Sequence, residues 1–347
     1  MTPYRSDLFN SLNMAFDMKV YVTWIEEDTF DYSAIYSLLD FKPDSTSGAC
    51  WSLLDAFNPD IVIVSEYGSY TLKVLLHRFL KRRKYKVVSI CDDSYNMLAE
   101  KNEFTRRHRW ARKVMVPFLD ELILVEKNTE RWYQQNYRKG FWFPIIRRED
   151  KQRDIYQRIL PQSRKLVAQY NLESKNVFLF VGRFVALKNI NRVIHAFSML
   201  DKDDYALVLV GSGEEEENIR KEISDKGYSN VILTGRLEGD ELYAWYNVGD
   251  YFILASWQEA FGAVTTEALL AGCYSLISKK AGSNCLIEED VNGYTFDPMS
   301  TDEIRRNMIR IVNRFPKIRP LNGVKDNLML VSYDDFIKRL ISRLNSL

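Results

Sequence analysis

Nine short apolar runs alternate with amphipathic segments along this chain, and that alternation restricts the possible folds more than any other feature. The runs are residues 20–24, 61–65, 86–91, 121–125, 177–181, 206–210, 231–234, 251–254 and 274–277. Several are continuous in Val, Ile, Leu or Phe, the pattern of strands buried on both faces of a parallel sheet. Between them, Leu72, Leu75, Leu76, Phe79 and Leu80 follow a helical spacing. The pattern predicts a doubly wound α/β architecture.

The alternation breaks once. Residues 144–170 are polar and charged, hold Pro144 and Pro161, and include the run from Arg147 to Lys151. A chain of 347 residues is long enough for about two domains. We therefore divide it into residues 1–150 and 151–330, two Rossmann-like domains facing a central cleft. Residues 331–347 are expected to form a helix able to pack on either domain, including back on the N-terminal one.

Apolar residues make up 46% and charged residues 27%, enough to bury sizeable cores. The net charge of +1 gives no global attraction to polyanions, so any such attraction must be local. Cys50, Cys91, Cys273 and Cys285 contain no Cys-x-x-Cys pair, and His77, His108 and His195 offer no zinc spacing. No metal site is expected, and the cysteines read as reduced thiols. No apolar run approaches the ~20 residues of a membrane span, and residues 1–10 are polar. The expected location is the cytoplasm, with peripheral contact to the inner face of the plasma membrane left open.

Three segments carry chemistry. Gly182 follows the run 177–181, with Arg183 and Lys188 just beyond. Ligands approach such strand ends, and two cations there suit a diphosphate. Gly211 closes the run 206–210 in a Gly-Ser-Gly turn, followed by Glu214–Glu217 at a helix start, where acids favour the dipole. The third segment runs from Ser256 to Leu269 and holds Glu259 and Glu267, with a helix opening near Gly262. Amides at a helix start bind anions, and carboxylates accept hydroxyl protons. Each piece also has a plain reading as a solvated loop or helix end.

The ordered set resembles the donor-binding domain of family 4 retaining glycosyltransferases of the GT-B fold. Its members here are Val181-Gly182-Arg183 with Lys188-Asn189, then Val210-Gly211-Ser212-Gly213, then Leu233-Thr234-Gly235-Arg236. Glu259-x7-Glu267 follows with Phe261-Gly262 inside, then Ala281-Gly282-Ser283 and Asn292-Gly293. The resemblance is to bacterial polysaccharide and lipopolysaccharide-type glycosyl transferases of group 1.

It implies a nucleotide-sugar donor in residues 151–330 and an acceptor in residues 1–150. Arg183 and Lys188 would hold the diphosphate and stabilise the leaving nucleotide, with no metal or other cofactor needed. Glu267 would accept the ribose hydroxyls. Glu259, with the backbone of Phe261, Gly262, Ala263 and Val264, would meet the transferred sugar. Gly235, Arg236 and Leu237 would meet the base. The implied reaction moves a sugar to a glycan or lipid-linked acceptor with retention of configuration. A nucleotide-sugar epimerase of the same fold and a non-catalytic donor-binding subunit are the alternatives.

The N-terminal half resembles the family less. Its opening residues, Thr2-Pro3-Tyr4-Arg5, look like the loop after the usual first strand, and that strand is expected to be missing. Asp92 and Asp93 stand where relatives carry a histidine near the sugar. They are candidates, with Arg5, for contacts to sugar or acceptor; capping the next helix is the other reading. His108 and His195 read as surface helix residues without a role. Basic clusters at residues 78–86 and 106–113, with Trp110 interleaved, suggest an anionic membrane surface. A solvated helix end is the alternative. Nucleic acid is not an expected partner, because no recognition module accompanies the clusters.

Overall fold

The computed structural model describes residues 5–22, 36–45, 50–99, 105–317 and 321–347. The chain divides into one unit of residues 1–147 with 333–347, and a second of residues 148–332. The first four residues, and the part of the run 20–24 beyond Val22, lie outside the described residues.

In the first unit, β1 (Tyr21–Val22) pairs in parallel with β2 (Asp44–Ser45). The main sheet holds β3 (Ile61–Ser65), β4 (Lys86–Cys91), β5 (Glu121–Leu124) and β6 (Phe141–Trp142), all parallel and in chain order. Among the described residues, no element before Ile61 joins this sheet, so it advances in one direction without a reversal. On one face Val87, Cys91, Leu122 and Leu124 pack with Val74, Met115 and Tyr133. The opposite face presents Ile90 and Ile123 near Leu8, Phe143 and Ile146. The helix Tyr333–Asn345 belongs to this unit. Phe336 packs edge-on against Trp142 and Phe143, the Tyr333 hydroxyl bonds Ser11 at 2.8 Å, and Arg343 donates to buried Glu121 at 2.7 Å.

The helix Ser69–Leu80 corrects the expected apolar stripe. Its buried residues are Thr71, Val74 and His77, whereas Leu72, Leu76, Phe79 and Leu80 are exposed. The polar pair is satisfied inside: Thr71 donates to the Glu66 carbonyl at 2.8 Å, and His77 bonds Tyr85 at 3.0 Å. Burying these two residues therefore leaves no orphaned polar atom.

The second unit contains β7 (Asn176–Val181), β8 (Tyr205–Val210), β9 (Val231–Gly235), β10 (Tyr251–Leu254), β11 (Tyr274–Ser278) and β12 (Gly293–Phe296). All are parallel, in the order β12-β11-β10-β7-β8-β9. Val177, Leu179 and Val181 face one core with the helices Glu149–Arg158, Leu160–Gln169 and Gly239–Val248. Phe178 and Phe180 face the other with the helices Ile190–Phe197 and Thr301–Arg314. The period of two along β7 thus feeds two hydrophobic layers. Each fully buried Phe contributes about 1.5–3 kcal/mol. The polar stretch 144–170, read as a break, forms two helices on the first layer through Tyr156, Ile159, Leu160 and Val167. Neither β6 nor β12 was apparent as an apolar run.

The chain runs from β7 to β9 in one direction, then returns to the far side of β7 for β10. This reversal is where open α/β sheets bind ligands, beyond the carboxyl ends of the two strands that part there.

Candidate functional site

Two loops leave the reversal in the second unit: residues 182–189 after β7 and residues 255–263 after β10. The first ends in a single turn, Ala186–Lys188, closed by Asn189 in a left-handed conformation. Asn189 donates its side-chain amide to the Ala255 and Pro298 carbonyls at 3.3 and 2.7 Å. The Trp257 amide donates to the Leu187 carbonyl at 3.1 Å. These bonds stitch the two loops together, and across them Lys188 forms an ion pair with Glu259. Both side chains are largely sheltered.

Arg183 occupies the same loop but is exposed, and its guanidinium makes no hydrogen bond to a described residue. The loop therefore presents an unpaired cation beside an ion pair.

The neighbouring turns lock tightly onto β7. At Gly211 a Cβ would fall 1.9 Å from the Gly182 carbonyl oxygen, and φ is +149°. Only glycine lets these two backbones meet. The Phe184 amide donates to Ser212, and the Gly211 amide to Gly235, at 2.8 and 2.9 Å. Gly235 ends β9 beside an irregular pairing with Val210. Beyond it, Arg236 is exposed and paired with Glu238, while Leu237 packs on the first layer.

After β10, Glu259 is pinned to the segment 280–283. Its amide donates to Lys280 at 3.3 Å, its carbonyl accepts from Gly282 at 3.1 Å, and Ser283 donates to Phe261 at 2.7 Å. Gly262 lies at φ +92°, where a Cβ would fall 2.6 Å from Leu254. Phe261 is buried. The helix that follows is Val264–Leu270, with Ala263 as its cap residue. Its Thr265 and Thr266 amides are already taken, donating to the Gly262 and Ala263 carbonyls at 3.0 Å each. Glu267 lies in the first turn, nearer the helix start than the spacing suggested. It is half-buried, and its carboxylate accepts from the buried Tyr246 hydroxyl at 3.0 Å. Burial, then the Glu267 charge, pushes the Tyr246 phenol well above its ordinary range.

The structure thus brings together Gly182, Arg183, Lys188, Gly211, Gly235, Glu259, Phe261, Gly262, Ala263, Val264 and Glu267 in loops and turns at the carboxyl ends of one sheet. Arg236 and Leu237 continue that rim after β9.

Arg5, Asp92 and Asp93 belong to the first unit, at the end of β4. Arg5 forms an ion pair with half-exposed Asp92. Asp93 is buried and accepts from the Tyr67 and Tyr133 hydroxyls, with His108 Nε2 at 3.3 Å from its other oxygen. Burial alone would raise the Asp93 pKa, but the bonds from His108, Tyr133 and Tyr67 hold it below the usual value. The first amide of the helix Tyr95–Ala99 goes to Glu126 at 2.6 Å. His108, read as a bare surface residue, instead bonds Tyr67 at 2.6 Å as part of this network. His195 is exposed.

Among the described residues, Glu66, Cys91 and Asp93 alone bring three potential metal-ligand atoms within 4.8 Å. Each is already engaged: Cys91 Sγ bonds Glu66 at 3.1 Å, and Glu66 accepts the Asp92 amide at 3.0 Å. Burial pushes the Cys91 thiol and the Glu66 carboxyl up, which favours their protonated forms. Hydrogen bonds within the first unit thus engage all three side chains.

Residues 162–317 match the family Glycosyl transferases group 1. This group 1 segment contains the whole constellation from Gly182 to Glu267. An uncharacterized glycosyltransferase of Methanocaldococcus jannaschii is 28% identical over 174 residues, covering 49% of this chain and 45% of that protein. The lipopolysaccharide 1,2-N-acetylglucosaminetransferase of Salmonella typhimurium is 32% identical over 145 residues, 38% of each chain. The chain thus spans under half the length of these relatives. Among solved structures, Anabaena HepE, in complex with UDP and glucose, aligns with a TM-score of 0.76 at 15% identity. The alignment covers 99% of this chain and 96% of that one. The shared fold is that of GT-B glycosyltransferases.

Proposed function

We propose that the protein is a glycosyltransferase that moves a sugar from a nucleotide-diphosphate-sugar donor to a glycan or lipid-linked acceptor hydroxyl. The transfer retains anomeric configuration, and the product belongs to a cell-surface polysaccharide or related glycoconjugate. The observation that carries this reading is unpaired Arg183 beside the Lys188–Glu259 pair at the sheet reversal. In this reading Arg183 and Lys188 receive the diphosphate and stabilise its growing charge as the sugar leaves. No metal is required for that task. Glu259 and the Phe261–Val264 backbone meet the sugar, Glu267 meets the ribose, and Gly235 to Leu237 meet the base. Arg5 and Asp92 serve the acceptor side. The group 1 match and the solved HepE complex with UDP and glucose support the donor class.

The test is nucleotide release from a panel of nucleotide sugars, with and without glycan acceptors. Release that depends on an acceptor supports transfer. Conversion of one nucleotide sugar into its epimer without acceptor would favour an epimerase. Release from none would favour a donor-binding subunit.

A surface of the first unit supports a membrane-bound acceptor. Phe79, Trp110 and Phe118 are 80, 63 and 64% exposed, and Arg78 donates to the Phe118 carbonyl, which ties the end of the helix Ser69–Leu80 to the turn Val116–Phe118. Lys81, Arg82, Lys84, Arg106, Arg107, Arg109 and Lys113 lie in the same segments. Aromatic side chains among cations suit an anionic lipid surface. Among the described residues no helix is long and apolar enough to cross a membrane. Peripheral binding at the inner face of the plasma membrane fits this surface.

A further inference from the structure

Glu267 is gripped at both ends. The Tyr246 hydroxyl donates to its carboxylate Oε2 at 3.0 Å, and the Tyr156 hydroxyl donates to its main-chain oxygen at 2.8 Å. Both tyrosines are fully buried. They come from two other helices, Gly239–Val248 and Glu149–Arg158. The rings are themselves fixed: Tyr243 packs edge-on against Tyr156 at 5.9 Å, and Tyr246 lies 6.4 Å from Phe252. The Asn247 side chain donates to the Tyr156 carbonyl at 2.9 Å and ties the two helices together.

The proton count assigns direction. A tyrosine hydroxyl carries one proton, and an ionised carboxylate can only accept. The Tyr246 proton therefore goes to Glu267. With Oε2 held against the core, the carboxylate plane is set before any ligand arrives. An acceptor already ordered by its surroundings gives up less freedom on binding than a free glutamate side chain. The core, not the exposed loops, thus aims this group.

We propose that Tyr246 is the positioning residue that makes Glu267 selective for ribose hydroxyls, so that the buried tyrosine sets the preference for a ribonucleotide donor. This rests on the reading of Glu267 as the ribose acceptor. Tyr156 holds the main chain of the same residue and supports the short helix rather than the selectivity.

The experiment measures calorimetric binding of UDP and GDP, each against its 2′,3′-dideoxy form, to the full chain. Wild-type protein is expected to prefer the ribonucleotide by about 10- to 100-fold. Tyr246→Phe removes one oxygen and should weaken ribonucleotide binding by about tenfold, leaving the dideoxy form unchanged. Tyr156→Phe should lower thermal stability while keeping the wild-type preference. Equal loss for both nucleotide forms in Tyr246→Phe, or no loss for either, overturns the inference. Wild-type protein that binds neither UDP nor GDP, or binds both forms equally, instead sinks the reading of the donor site, and the inference with it.

Glu267→Gln provides the same answer should Tyr246→Phe fail to fold. With Tyr246 present, the amide oxygen turns inward to accept the phenol proton and the NH₂ turns outward, where it can donate to a ribose hydroxyl but not accept from one. Weaker ribonucleotide binding in Glu267→Gln, with the dideoxy form unchanged, supports the clamp; ribonucleotide binding equal to wild type overturns it.

Discussion

Lys188 and Glu259 form an ion pair that joins the turn after β7 to the loop after β10, across the point where the strand order reverses. The pair fixes two segments that are 71 residues apart in the chain. A ligand diphosphate arriving there meets Lys188 already oriented and Arg183 unengaged. Arg183→Ala and Lys188→Ala should each weaken nucleoside diphosphate binding by about tenfold, as charge-assisted bonds are lost. Calorimetry with UDP and GDP checks this, and unchanged affinity in both variants removes the phosphate assignment.

Gly211 should be the least tolerant position in the site. A methyl group there lands on the Gly182 carbonyl, so Gly211→Ala must push β7 and β8 apart. The expected cost is about 2–4 kcal/mol, read from the urea midpoint. Gly323→Ala, where nothing lies within 4 Å of the new carbon, should be nearly neutral and serves as the control.

The two aspartates after β4 should separate by function. Asp93 is internal, bonded by two tyrosines and His108, so Asp93→Asn should cost about 1–3 kcal/mol of stability. Asp92 is half-exposed and paired with Arg5, so Asp92→Asn should lower turnover while the thermal midpoint stays close to wild type. Wild-type turnover by both variants would remove the acceptor role.

Glu66 gives a pH dependence with a definite sign. Burial raises its folded pKa above the ordinary value of 4.5, against the bonds from Asp92 and Cys91. The native state then holds a proton that the unfolded state has lost, so stability falls as pH rises from about 4.5 through the raised value. Glu66→Gln should flatten that slope and be the more stable protein above this window. Thermal midpoints between pH 4 and 8 test it; a wild-type slope unchanged in the variant contradicts the assignment.

Membrane docking has its own test. Wild-type protein should sediment with vesicles containing anionic lipid at low salt and be released at high salt, where surface charges are screened. Phe79→Ser with Phe118→Ser should reduce sedimentation severalfold without changing the thermal midpoint, because both side chains are exposed. No sedimentation at low salt would leave the basic segments as ordinary solvated helix ends.

The strand runs and the glycines that end them were legible in the chain because both are local. A strand buried on both faces must be apolar along its length, and a backbone contact as close as Gly211 to Gly182 admits no side chain. The helix at residues 69–80 was legible as a helix, but its buried face was not. Thr71 and His77 are polar, and only partners from the sheet and neighbouring segments make their burial tolerable. His108 had no local signal either, since Asp93 and Tyr67 lie 15 and 41 residues away. The grip on Glu267 joins residues 21 and 111 positions apart. By itself the sequence determined the α/β alternation and the ordered set of candidate residues that end its strands. Tertiary structure decided the strand reversal that gathers them and the buried tyrosines that aim Glu267. Such contacts depend on which helices share a layer, and local periodicity carries no record of that.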